Sequence, residues 1–186
     1  TGWLKYELYK KKNIKIFKKD ATEIKKKYGS FYLFSSNFGT LSADGLNYRI
    51  KAGQVKKSNT KRIMHFKKSI KTFQLIKDEF NSKSKNINIV IRPHPSDAFH
   101  SDWYKNINQS SNLKIAFDND IVPWIIASKG LIHRGCSTAV DAVLLNKPTF
   151  YLKSKRKFST NENTILSRIS HKINSLNDIL YIKKKK

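Results

Sequence analysis

The chain has 186 residues, 39% of them hydrophobic, with 11 Phe, 8 Tyr and 3 Trp, and a formal net charge of +25. That length supports one core and makes a single domain the default, and the aliphatic and aromatic content excludes disorder for most of the chain. A single cysteine, Cys136, excludes an internal disulfide or a cysteine-based metal cluster and fits a reducing compartment, and no apolar run is long enough to span a bilayer.

The charge is unevenly spread. Residues 86–152 hold four Lys and two Arg against five Asp, so the excess lies in 1–30, in 51–85 and from 153 onward. Lys outnumbers Arg 32 to 6, whereas proteins that read bases and phosphates favour the bidentate guanidinium. The lysines read first as a solvated surface in a chain of A/T-biased codon usage. An anionic membrane or acidic partner is the second reading, and nucleic acid is disfavoured.

In chain order, lysines break the N-terminal stretch, which is not a signal peptide. The chain opens on Thr1, and residues 1–28 are expected to form a basic segment, a remnant of or linker from an N-terminal domain. The run FYLFSS (31–36) predicts a buried strand. Ile63, Phe66, Ile70, Phe73, Ile76 and Phe80 recur at helical spacing between lysines, which predicts an amphipathic helix over 56–81. INIVIRP (87–93) predicts a second strand ended by prolines, residues 98–109 a short helix with Trp103, and LKIAF (113–117) a third strand. Asp120 as cap and Pro123 in the first turn predict a short helix, followed by a strand at 130–134, a helix at 137–145 and a strand at 148–152. SLNDIL predicts a capped final helix within a basic tail, 154–186. Near-continuous apolar strands separated by helices imply an α/β, Rossmann-like, mostly parallel sheet covered on both faces, with the domain proper at 29–153.

Two motifs carry chemistry. IHRGCSTAVDAVLLNKP (132–148) leads from a strand through Gly135, Cys136, Ser137 and Thr138 into a helix. In an open α/β sheet the ligand lies beyond the carboxyl ends of the strands, where such a turn can meet an anion. Taken alone, Gly135 could be only a turn and Ser137 only an N-cap. IRPHPSD (91–97) holds His94 between Pro93 and Pro95 at the same expected edge. An imidazole there can donate to a phosphate oxygen or pass a proton to a leaving phosphate. Arg92 adds a fixed charge, although it could pair with Asp97 or Asp118, and His133 and Arg134 at the end of the next-but-one strand are further candidate donor contacts, with a satisfied buried histidine as the alternative for His133. Asp141, one turn into the helix, suits ribose or sugar hydroxyls, because a carboxylate accepts hydrogen bonds.

These residues carry a resemblance. IRPHPSD, then DNDIVPWIIASKGLIHRGCSTAVDAVLLNKPTFYL, resembles the C-terminal half of bacterial surface-carbohydrate (capsule and lipopolysaccharide) biosynthesis proteins with a GT-B glycosyltransferase-like architecture. KKYGSFYLFSSNFG is similar to the strand and loop that open that half. More distantly, the pattern is similar to Kdo and polysialic-acid capsule transferases and to teichoic-acid polymerases. The resemblance implies that His94-Pro95 and Ser137-Thr138 grip the donor phosphates, that Asp141 takes the ribose, and that the Asn37-Phe38-Gly39 turn faces the same cleft. The family's commonest pattern has a glutamate and a more glycine-rich turn where this chain has Asp141 and GCST, which leaves the nucleotide open. Asp44, in SADG, reads as an Asp-Gly turn rather than as a base.

The expected chemistry is transfer from a nucleotide-sugar, entering as substrate with no cofactor and no bound metal, to a glycan or lipid-linked acceptor. His94 would be the catalytic group. The expected location is the cytoplasm, with the basic surface resting on the inner membrane. A nucleotide-sugar 2-epimerase-like enzyme would need further acid/base residues, and a nucleic-acid- or membrane-binding module would interleave Arg and aromatics on the basic face.

Overall fold

The structure, a computed structural model, describes residues 13–35, 87–93, 112–117, 120–153 and 165–183, together with isolated positions at 7, 9, 10, 47, 50–53, 56, 58, 64 and 78. The helices expected over 56–81 and 98–109 lie outside the described residues, apart from those isolated positions.

Six strands form one sheet: β1 (Tyr32–Ser35), β2 (Ile89–Arg92), β3 (Leu113–Ile115), β4 (Leu131–His133), β5 (Thr149–Leu152) and β6 (His171–Ile173), in the order β3-β2-β1-β4-β5-β6. Every pairing is parallel. This is the order of an open Rossmann-like sheet, which reverses direction between β1 and β4. Strands β1, β4 and β5 are buried along their whole length, which explains their unbroken apolar runs.

Alternation along the strands feeds two cores. On one face Tyr32, Phe34, Ile89, Ile91, Ile132, Phe150 and Leu152 pack with Ile173, Leu176 and Ile179. On the other, Phe31, Leu33, Val90 and Leu131 meet the helices α1 (Lys18–Tyr28), α2 (Ile121–Ala127), α3 (Thr138–Leu144) and α4 (Ile165–Arg168) through Ile24, Trp124, Ile125, Ala139, Ala142 and Leu166. Trp124 anchors the second core, with its ring 5.1 Å from Tyr28 and 6.1 Å from Phe31, so that α1, β1 and α2 share one aromatic cluster.

Helix ends follow the expected local chemistry. The Asp120 carboxylate accepts from the Val122 N–H, capping α2, and Pro123 sits in the first turn, where its missing N–H is harmless. Helix α3 stops in a Schellman arrangement: Asn146 has φ 55°, its N–H bonds the Val143 carbonyl, and the Lys147 N–H bonds that of Ala142. Gly130 is fixed by close approach, because a Cβ there would lie 2.7 Å from the Pro148 carbonyl oxygen.

The core extends past the expected limits of 29 and 153 on both sides. Helix α1 buries Ala21 and Ile24, so residues 18–28 are part of this unit. In the tail, the Phe150–Leu152 segment of β5 pairs with β6, and Ile173, Leu176 and Ile179 are fully buried, the last on α5 (Asp178–Lys183). The capped final helix is present. The Asp178 carboxylate accepts from the Asn174 and Ser175 N–H groups and the Ser175 hydroxyl, and although burial works against the charge, these bonds hold its pKa below the usual value. Among the described residues no helix is long and apolar enough to cross a membrane.

Candidate functional site

The strand order reverses between β1 and β4, which is the place where open parallel sheets leave room for a ligand at their carboxyl edge. Ser35 ends β1, and residues 134–137 follow β4. Three side chains meet at this edge. The Ser35 hydroxyl lies 3.4 Å from Cys136 Sγ and 3.3 Å from Thr138 Oγ1, and Cys136 Sγ lies 3.0 Å from Thr138 Oγ1. All three residues are buried.

The strand register places a row of side chains across this edge. Ser35 is opposite Arg92 on β2 and His133 on β4, and His133 is opposite Tyr151 on β5. The alternation that sends Phe34, Ile91, Ile132 and Phe150 to one core puts these four on the opposite, helix-bearing face. Arg92 is half-buried at the end of β2, where the chain leaves the sheet towards Pro93.

His133 corrects an expectation. It is fully buried, and both of its ring nitrogens have partners inside the protein. Its Nε2 lies 2.8 Å from the Ser170 hydroxyl, whose own proton goes to the Leu166 carbonyl at 2.7 Å, so Nε2 carries the hydrogen and donates. Its Nδ1 accepts from the Gly135 N–H at 3.1 Å, and the ring packs edge-on to Tyr151 with centroids 5.6 Å apart. Burial pushes its pKa down to about 4, so the ring is neutral at pH 7. The histidine therefore holds the turn rather than a ligand.

Gly135 has φ 92°, a conformation that side-chain-bearing residues rarely adopt, and this bends the chain from β4 into α3. Ser137 occupies the N-cap position, but its side chain makes no capping bond and it is exposed. The capping role weighed for it is absent, and its hydroxyl stands at the open side of the turn. Arg134 is half-buried beside Gly135. Ala139 and Ala142, both fully buried, let α3 lie close on the sheet.

Asp141 is buried in the first turn of α3, and its Oδ1 accepts from the Tyr9 hydroxyl at 2.8 Å. Burial first, then this hydrogen bond, raises the Tyr9 pKa above its ordinary value, with smaller contributions from the charges of Asp141 and Asp120. The phenol is therefore protonated at neutral pH.

The structure thus gathers Arg92, Arg134, Gly135, Cys136, Ser137, Thr138 and Asp141 near one sheet edge, and His133 beneath them. His94, Pro95, Asn37 and Gly39 lie outside the described residues, as do Asp44, Asp97 and Asp118. Sequence reasoning missed Ser35 and Tyr9. Ser35 carried a signal, being the first hydroxyl after an apolar strand. Tyr9 carried none, since its partner lies 132 residues away. Among the described residues, no three His, Cys, Asp or Glu side chains form a group that could hold a metal ion. Neither the models of protein families nor the curated proteins contain a match to this chain, so its Rossmann-like α/β character rests on the sheet order and parallel pairing described above.

Proposed function

We propose that this chain is the donor-binding half of a nucleotide-sugar-dependent glycosyltransferase of bacterial surface polysaccharide biosynthesis. The supporting observation is the position of the GCST turn. It leaves β4 at the point where the strand order reverses, opposite the end of β1, which is where open parallel sheets bind nucleotides. The exposed Ser137 hydroxyl, with Thr138 behind it, meets the donor phosphate, and Arg92 and Arg134 supply positive charge on either side of Ser35 and the turn. Asp141 accepts from a ribose hydroxyl, as an acceptor-only group does best. His94, in the segment that follows β2, stabilises charge growing on the leaving phosphate, and Asn37 and Gly39 are the further donor contacts that the resemblance implies. The acceptor is a glycan or a lipid-linked glycan, and the lysine-rich surface rests on anionic membrane beside it.

The test is calorimetric titration with CMP, CDP, UDP and GDP and their sugar conjugates at moderate salt, beside a random oligonucleotide. Selective binding of one nucleotide, weakened at least tenfold in His94→Ala and in Ser137→Ala, supports the reading. Binding of the oligonucleotide alone, falling steeply with salt, rejects it.

A further inference from the structure

The contact between Tyr9 and Asp141 joins the N-terminal segment to the helix that follows the GCST turn. Tyr9 is 7% exposed and Asp141 is 6% exposed, so the bond between them is buried. The phenol donates to Oδ1 at 2.8 Å and also feels the charge of Asp120, the N-cap of α2. A carboxylate only accepts, so its natural partners are hydroxyl and amine donors, and a phenol and a ribose hydroxyl are equivalent in that respect. The segment that carries Tyr9 has bonds of its own. The Lys10 N–H and the Asn13 side-chain amide both donate to the Glu7 carbonyl, and Lys10 pairs with the Glu7 carboxylate at 2.6 Å. These bonds tie Glu7, Lys10 and Asn13 to one another.

We infer that Tyr9 is a resident competitor at the ribose position: its phenol makes on Asp141 the hydrogen bond that a ribose hydroxyl would make, and a nucleotide must displace it to bind. This inference rests on the donor-site reading above. With Tyr9 in place the Asp141 Oδ1 atom that it bonds is closed to a ligand.

The experiment compares the wild-type chain and Tyr9→Phe, which keeps the ring and deletes the hydroxyl. Each is titrated with CMP, CDP, UDP and GDP and with the 2′,3′-dideoxy form of each nucleotide. Tyr9→Phe is expected to bind the preferred ribonucleotide roughly three- to tenfold tighter, the range of one hydrogen bond, and to bind its dideoxy counterpart no differently from the wild type. A second readout uses the wild type alone, so that it does not depend on the variant folding. Saturating ribonucleotide should speed amide hydrogen exchange around Tyr9 while slowing it over 134–141. Equal ribonucleotide affinity of the two proteins, or slowed exchange around Tyr9, overturns the inference while leaving the donor site intact. No binding of any nucleotide by either protein overturns the donor-site reading and the inference with it.

Discussion

Gly135 donates its backbone N–H to Nδ1 of His133, two residues earlier, at 3.1 Å. The bond accounts for a histidine placed directly ahead of an uncharged small-residue turn. A neutral, buried ring accepts from a glycine whose φ of 92° would otherwise leave that amide unmatched, and Ser170 fixes the tautomer from the other side. The GCST turn is therefore built on a protonation state.

Stability should follow that state. The folded pKa of His133 is about 4, against 6.5 for the ordinary side chain. Between these values the unfolded chain binds a proton that the folded chain does not. The stabilisation is complete above about pH 6.5, is lost as the pH falls towards 4, and levels off below it. The gap corresponds to roughly 3 kcal/mol. Urea unfolding at pH 7 and pH 4.5 measures it, and His133→Gln, which can donate and accept at similar places without titrating, should remove most of the difference. The same pH dependence in His133→Gln would place the titrating group elsewhere.

Two glycines should respond differently to alanine. At Gly135 the space is open and the strain is conformational, so Gly135→Ala costs about 1 kcal/mol. At Gly130 the new Cβ would meet the Pro148 carbonyl at 2.7 Å, and the start of β5 must move, which costs roughly 2–3 kcal/mol. Thermal melts of the two variants give the order, and a greater loss at Gly135 would contradict it.

Lys147 closes the C-terminal end of α2. Its Nζ donates to the Ile126 and Ser128 carbonyls at 2.7 and 2.8 Å, and burial, with the nearby Lys25 charge, lowers its pKa. Lys147→Met should destabilise the fold by about 1–3 kcal/mol. An unchanged urea midpoint would mean that water satisfies these carbonyls equally well.

Much of the fold was legible because buried parallel strands leave continuous apolar runs. Five of the six strands were found that way, each within a residue or two at its ends. Strand β6 was not, because His171 and Lys172 are exposed at the sheet edge and only Ile173 is buried. With so short a strand there is no periodicity to read. The same reason hid the tail's part in the core, since SLNDIL was legible only as a capped helix and not as a contributor of Leu176 and Ile179 to the core. At the site, the turn was legible from residue type alone. The role of His133 was not, because whether a strand-end histidine faces a crevice or a core depends on parity, and its partner Ser170 lies 37 residues away.

Helix α1 offers a surface to the membrane proposed as a neighbour. Lys18, Lys25 and Lys26 line an open trough of about 580 Å³ with Ala21, Thr22, Ile126 and Ala127, and no acidic side chain lines it. The chain should sediment with vesicles containing phosphatidylglycerol, less so as salt rises, and not with phosphatidylcholine alone. Each basic side chain near such a surface contributes about 1 kcal/mol, so the triple change of Lys18, Lys25 and Lys26 to Glu should reduce binding at least tenfold. Equal sedimentation with both lipids would remove the charge argument.

Backbone amide NMR of the labelled chain locates the nucleotide. On adding the nucleotide selected by calorimetry, the largest shift changes should fall at Ser35, which ends β1, and at Gly135 to Thr138, which follow the neighbouring strand β4. Changes confined to the lysine-bearing face of α1, with the GCST turn unmoved, would contradict the donor-site account.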